Sequence, residues 1–396
     1  MKTVILPPLA ALVLAVALIP GSAAQARPHP ARPGDYDGDG RRDIAVTLER
    51  AKGHKSAILV YSGGGKRVSR KPAVIRRPKT TGHFTALATG DFDGDGYADL
   101  AGLLEREPVP GDVQGGLVVY SGSRKGLGGT ARTLLSWGAA GHVAPVAADF
   151  NGDGYSDVAV RVPMGVMIFK GSAKGLASGR YKILKGVTGR LAAGDVSGDK
   201  LPELVAVGSR AVTFRSKKGY WPDPSRSWTS DAFQGGEGPV HLADVTGDGR
   251  ADLVAARLAG PDGGHLDVRL GTGRDFGLPL APIPFKGSLA VGDVTGDGRA
   301  DVVVAVGSRT LRVIRGTRTG LDTGHVKTIK TSAFGAKRID ARDMVVQNPI
   351  GGAAKELLIP DSAAPNLWVV PVTRPKTAQK LPVPLSGFLG QGTARP

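Results

Sequence analysis

The chain has 396 residues, no cysteine and a formal net charge of +17. The missing cysteines exclude a disulfide framework and a lipid-acceptor thiol, and the surplus of Lys and Arg favours anionic partners. High Gly (59) and appreciable Pro (28) suit many short strands joined by tight turns, and few stretches hold a helical period.

The N-terminus reads as a secretory leader over residues 1–26. Lys2 is its charged start, Val4 to Ile19 its apolar run and Ala24-Gln25-Ala26 a small-x-small cleavage site. The run is too short and proline-broken to span a bilayer. The mature chain is expected to begin at Arg27, to be extracellular and to carry no membrane span.

A nine-residue loop then recurs. It runs Asp35-Tyr36-Asp37-Gly38-Asp39-Gly40-Arg41-Arg42-Asp43 in its first copy and Asp91-Phe92-Asp93-Gly94-Asp95-Gly96-Tyr97-Ala98-Asp99 in its second. Later copies start at Asp149, Asp195, Asp244 and Asp293. A last trace leads from Asp343-Met344 to Glu356-Leu357-Leu358 without the glycines, and no metal is expected there. Seven copies roughly 50 residues apart signal a repeat architecture. Oxygen ligands at positions 1, 3, 5 and 9, a carbonyl at 7 and glycines at 4 and 6 form the front of an EF-hand loop. With no His or Cys, such a cage favours Ca²⁺.

The candidate ligands of cage one are Asp35, Asp37, Asp39, Arg41 through its carbonyl, and Asp43. Cage two offers Asp91, Asp93, Asp95, Tyr97 and Asp99, and cage three Asp149, Asn151, Asp153, Tyr155 and Asp157. Cage five offers Asp244, Thr246, Asp248, Arg250 and Asp252, and cage six Asp293, Thr295, Asp297, Arg299 and Asp301. Cage four (Asp195, Ser197, Asp199, Leu201, Glu203) is weak, because Lys200 stands where glycine belongs. About five structural calcium sites are expected, tightest in cages one and two, where four carboxylates converge.

Each copy carries an apolar strand before the cage, as Ala86-Leu87-Ala88, and two after it, as Asp99 to Leu104 and Leu117 to Tyr120. A turn such as Gly122-Ser123-Arg124-Lys125-Gly126-Leu127 leads to a fourth, more polar strand. Seven sets of four antiparallel strands describe an all-β, seven-bladed β-propeller, over residues 27–385 with a tail at 386–396. Approximate blades are 28–82, 83–141, 142–187, 188–236, 237–285, 286–335 and 336–385. Blade one starts poorly, around Ala31-Arg32-Pro33-Gly34. Strand, D-x-D-G-D-G-x-x-D, two strands, G-S-x-x-G-L and a strand resemble the FG-GAP/VCBS repeat of integrin-α-like propellers. The resemblance covers nearly the whole mature chain. It implies calcium in the loops joining strands one and two, and binding or adhesion more often than catalysis.

Strand parity puts cages and G-S-x-x-G-L turns on one face and the remaining loops on the other. Arg106, Trp137, His142, Trp228 and His265 are candidate ligand residues for that second face. The basic run Lys66 to Lys71, continuing to Arg76 through Lys79, is placed on the outer strands of blade one. No G-x-S-x-G, H-E-x-x-H, Walker A or dinucleotide fingerprint occurs. The sequence favours a monomeric, non-catalytic binding module for an extracellular glycan, anionic wall polymer or protein. The alternative is a polysaccharide lyase on the same fold. No nucleic-acid motif accompanies the basic run, which disfavours that partner.

Overall fold

The computed structural model describes residues 31–48, 57–76, 83–105, 115–128, 131–137, 144–219, 221–229, 238–258, 264–285, 288–340 and 344–384. The predicted leader 1–26 and tail 386–396 lie outside them. Among the described residues no helix is long and apolar enough to cross a membrane.

The chain is a seven-bladed, all-β propeller. Each blade is an antiparallel sheet whose strands lie side by side in chain order. Blade two is typical, with strands His83–Gly90, Asp99–Glu105, Gly115–Tyr120 and Ala131–Trp137. In blade five the fourth strand is split into Phe276–Pro279 and Ile283–Phe285, both paired with Gly264–Gly271. Pro279 and Pro282 have no N–H to continue the ladder.

Blade one differs from expectation. Its described strands are Ile44–Leu48, Ala57–Tyr61 and Ala73–Arg76, which correspond to strands two to four. Residues 31–34 form a turn closed by the Asp35 N–H on the Arg32 carbonyl, with Gly34 at φ 85°. Pro33 and a left-handed glycine there prevent strand pairing.

Seven hydrophobic clusters fill the seven gaps between neighbouring blades. Alternation along each central strand feeds two gaps at once. Ala101 and Leu103 pack against blade three, while Leu100 and Leu104 pack against blade one. Both faces are therefore dry, which is why these strands read as continuous apolar runs. Cage position 2 plugs the gap to the following blade. Tyr36, Phe92, Phe150, Val196, Val245 and Val294 fill it in turn, each at most 1% exposed.

The ring closes through the gap between blades seven and one, where Leu358, Leu367 and Val369 meet Ile44, Val46 and Leu59. Gln379 of blade seven accepts a bond from the Val68 N–H of blade one and donates one to its carbonyl. The Gly64 N–H donates to the Pro349 carbonyl at 3.0 Å. Ser123 makes the same bond to Tyr36, and Ser172 to Phe92. A second interblade bond runs from position 8 to position 1 of the preceding cage, as Ala98 N–H to the Asp35 carbonyl (2.8 Å) and Ser156 N–H to that of Asp91 (2.7 Å).

The first glycine of the third-to-fourth-strand turn is required by space. A Cβ on Gly122 would overlap the Ala98 carbonyl, whereas one on Gly126 (φ 84°) would meet nothing within 4 Å. Gly122→Ala is expected to cost about 3 kcal/mol by overpacking. Gly126→Ala is expected to cost about 1 kcal/mol from backbone strain alone. Urea midpoints of the two variants test this; equal costs would show that the close approach does not matter.

Candidate metal centres and the loop faces

Cage two shows how the loop is held. Asp91 follows directly on the first strand, which ends at Gly90. Its Oδ1 accepts from the Gly94 N–H (2.6 Å) and its Oδ2 from that of Gly96 (3.1 Å). Asp93 accepts from the Asp95 N–H, and Asp95 from that of Tyr97. Gly94 (φ 73°) and Gly96 (φ 93°) give the left-handed backbone that turns these N–H groups inward. Asp99 is buried. Its Oδ2 accepts from the Phe92 N–H (2.9 Å), its Oδ1 from that of Gly122 (2.8 Å). One carboxylate thus joins the cage to the third-to-fourth-strand turn of its own blade. Asp43, Asp157, Asp252 and Asp301 do the same toward Gly63, Gly171, Gly271 and Gly316. Cages and turns therefore share one face, as parity predicts.

Three carboxylate oxygens approach within 4.8 Å of one another in cage one (Asp35, Asp37, Asp39) and in cage two (Asp91, Asp93, Asp99). Among the described residues these are the places where three acidic groups converge closely enough to hold a metal ion. Their charges repel in a partly dry setting. Burial, with the Asp95 charge, pushes Asp93 up to about 6. Burial, with the Asp93 charge, pushes Asp99 to about 7, and burial with Asp37 pushes Asp43 to about 7.

Several cages carry cations of their own, beginning in cage one with Arg41 Nε 4.0 Å from Asp39. Lys170 Nζ lies 3.1 Å from Asp153 in cage three. Arg250 Nη2 lies 2.8 Å from Asp248 in cage five, and Arg299 Nη2 lies 3.1 Å from Asp297 in cage six. An arginine at position 7 thus offers a carbonyl on one side and a competing guanidinium on the other, which the motif does not reveal. In cage four Lys200 adopts glycine's conformation (φ 72°), and its N–H still bonds Asp195 (2.8 Å).

The seventh loop begins later than its aspartate suggested. Val345–Gln347 pairs with Glu356–Pro360, and Gln347 faces Glu356 as Gly292 faces Asp301. Asn348 is therefore position 1 and Glu356 position 9, with Gly351 (φ 75°) at position 4. Asp343 lies outside the described residues, and the glycine core is reduced rather than gone.

The second face is only partly visible. Arg106 and His142 lie outside the described residues. Trp137 ends the outer strand of blade two, and His265 starts the third strand of blade five, at the expected end. Trp228 departs from expectation. It sits on outer strand Ser227–Thr229 with the guanidinium carbons of Arg215 at 4.7 Å and Arg274 at 5.7 Å from its ring centroid. Arg274 belongs to a third-to-fourth-strand turn, so the indole is drawn toward the cage end. The basic run also moves. Lys66 to Lys71 lies between Ala57–Tyr61 and Ala73–Arg76, in the turn on the cage face, because the strands before it are two and three of the blade.

Several findings compare this geometry with known proteins. A model described as FG-GAP-like repeat matches residues 35–102, and one described as FG-GAP repeat matches residues 143–175 and 287–321. "Integrin alpha pat-2" of Caenorhabditis briggsae is 28% identical over 148 residues, which is 33% of this chain and 12% of that protein. The chain thus spans a small part of that relative. The crystal structure of BBS1N in complex with ARL6DN has a TM-score of 0.49 at 12% identity, covering 89% of this chain and 95% of that one. The V. cholerae biofilm matrix protein Bap1 has a TM-score of 0.27 at 13% identity, covering 83% and 73%.

Two outcomes are expected. Asp43 and Asp99 keep their protons to about 7 in the folded chain, chiefly through burial, but only to about 4 when unfolded. Their contribution to stability is full below about pH 4 and is lost as pH rises toward 7. A bound divalent cation removes that loss, so the gain in Tm on adding millimolar cation should be larger at pH 7.5 than at pH 5. A gain independent of pH would contradict it. Second, Lys200→Gly should stabilise by about 1 kcal/mol by relieving the left-handed backbone, read as a higher urea midpoint.

Proposed function

Taking as premise a chain of FG-GAP repeats folded as a seven-bladed propeller, we propose an extracellular, calcium-stabilised binding module without catalytic chemistry. Its partner is an anionic glycan, an anionic wall polymer or a protein. The observation that carries the calcium reading is the three-carboxylate convergence in cages one and two. Among the described residues no ion pair reaches the trio of cage two, Arg41 stands 4.0 Å from Asp39 in cage one, and the donors are all oxygen, which suits Ca²⁺. Positions 1, 3, 5 and 9 with the position-7 carbonyl would hold it in cages one, two, three, five and six. Bound there, calcium neutralises the carboxylates and fixes the loop that carries them. Position 9 then transmits that rigidity to the neighbouring turn through its second oxygen. The partial likeness to an integrin alpha chain supports an extracellular recognition role, and the net charge of +17 supports anionic partners. On this reading residues 1–26 are a removed leader, 27–385 the propeller and 386–396 a tail.

Excess EGTA should lower the Tm, since a site filled at 100-fold over its Kd adds about 2.7 kcal/mol to stability. An unchanged melt would sink the calcium reading. Size-exclusion chromatography with a panel of acidic polysaccharides in Ca²⁺ tests the module. Co-elution of an intact polymer supports it. Shortening of the polymer with time would make the protein a lyase instead.

A further inference from the structure

The seventh loop keeps its backbone and reverses its charge. Asn348, Ile350 and Gly352 occupy positions 1, 3 and 5, where other cages place oxygen acids, Thr, Ser or Asn. Gly351 (φ 75°) retains the turn, and Glu356 still accepts a bond from the loop backbone, at the Ile350 N–H. Cations stand around it. Position 8 is Ala, Ser or Pro in cages two to six but Lys355 in blade seven and Arg42 in blade one. Both side chains line one cavity of about 360 Å³ at the blade-seven to blade-one seam, together with Arg32, Asn348 and Gly352.

These cations are half-buried and close enough to repel. The Arg32 guanidinium lies near Arg42, and the Asp293 carboxylate lies near Lys355. Among the described residues neither side chain forms an ion pair. Half-buried like charges with Asp293 as a partial counter-charge still cost stability, and a ligand anion would recover it.

A second cavity of about 590 Å³ shares Gly351, Gly352 and Lys355 with the first and continues outward past Lys66, Arg67, Arg70, Arg374 and Lys380. Its one acid is Glu356, which burial pushes up to about 7. The basic run that the blade architecture leaves unused thus becomes one wall of a groove.

We propose that this seam is an oxyanion site, with Arg42 and Lys355 at its floor and the groove receiving further sulfate or phosphate groups of the same ligand. The polymer as ligand rests on the binding-module reading; the anion site does not.

Isothermal titration of the full chain in Ca²⁺ tests it, with glucose 6-phosphate, which binds Ca²⁺ only weakly, and a sulfated oligosaccharide as separate probes. R42Q/K355Q should bind at least ten-fold more weakly than wild type. K125Q/K174Q, which removes two exposed lysines from the turns of blades two and three, should change affinity less than two-fold. The Tm of R42Q/K355Q without anion should be unchanged or higher. Should that variant not fold, R67Q/K380Q at the groove rim makes the same comparison, with at least a three-fold loss expected. Equal losses in seam and control variants, or no binding of either probe by wild type, overturn the site. Whichever probe binds tighter identifies the oxyanion class. Polymer co-elution fully retained by R42Q/K355Q overturns the seam and leaves the module standing. Glucose 6-phosphate bound at the seam without polymer co-elution overturns the module alone.

Discussion

The position-9 carboxylate is the constraint on which each blade depends. Asp99 uses one oxygen to hold the cage at Phe92 and the other to hold the turn at Gly122. Those two backbone groups also reach out of the blade. Phe92 fills the gap toward blade three, and its carbonyl accepts from Ser172 there. Gly122 is followed by Ser123, which bonds back to blade one. A single buried side chain therefore fixes the loop, the turn and both junctions. Glu at this place keeps only the cage half of the arrangement, since Glu203 accepts from the Val196 and Ser197 N–H groups through one oxygen. The arrangement has no use for an apolar residue, because the N–H groups it satisfies are buried.

Much of this was legible because the cage is a local code. Its spacing counts the blades, and the doublet of glycines forecasts the left-handed turns seen at Gly94 and Gly96. Strand parity follows from the short connections, so the shared face of cages and turns could be read without coordinates. What could not be read was long-range. The apolar residue at position 2 looks like filler inside a polar loop, yet Phe92 and Phe150 are fully buried plugs. Its invariably apolar character across the copies was the available signal. The seventh loop was misplaced because the eye follows Asp343, whereas strand register follows Glu356. Trp228 is a candidate for the second face, but its ring is positioned by Arg215 and by Arg274 of the next blade.

Charge is graded around the ring, and the grading has a structural sense. Cages five and six neutralise a carboxylate internally with Arg250 and Arg299, and cage three does so with Lys170. Cage two leaves its converging trio to be neutralised from outside, and cage one offsets its own only weakly, with Arg41 Nε 4.0 Å from Asp39. Demand for a cation is therefore greatest in the first two blades. Blade one is also the thinnest, with three described strands and a seam to blade seven. Its Asp43 must hold Gly63, whose neighbour Gly64 bonds the Pro349 carbonyl across that seam. A cation that orders cage one thus acts on the ring closure through two backbone bonds. On the far side of the same seam the loop has exchanged acids for bases. Cation demand and anion demand lie side by side where the ring is joined, so the ionic composition of the surroundings bears on closure more than on any other junction.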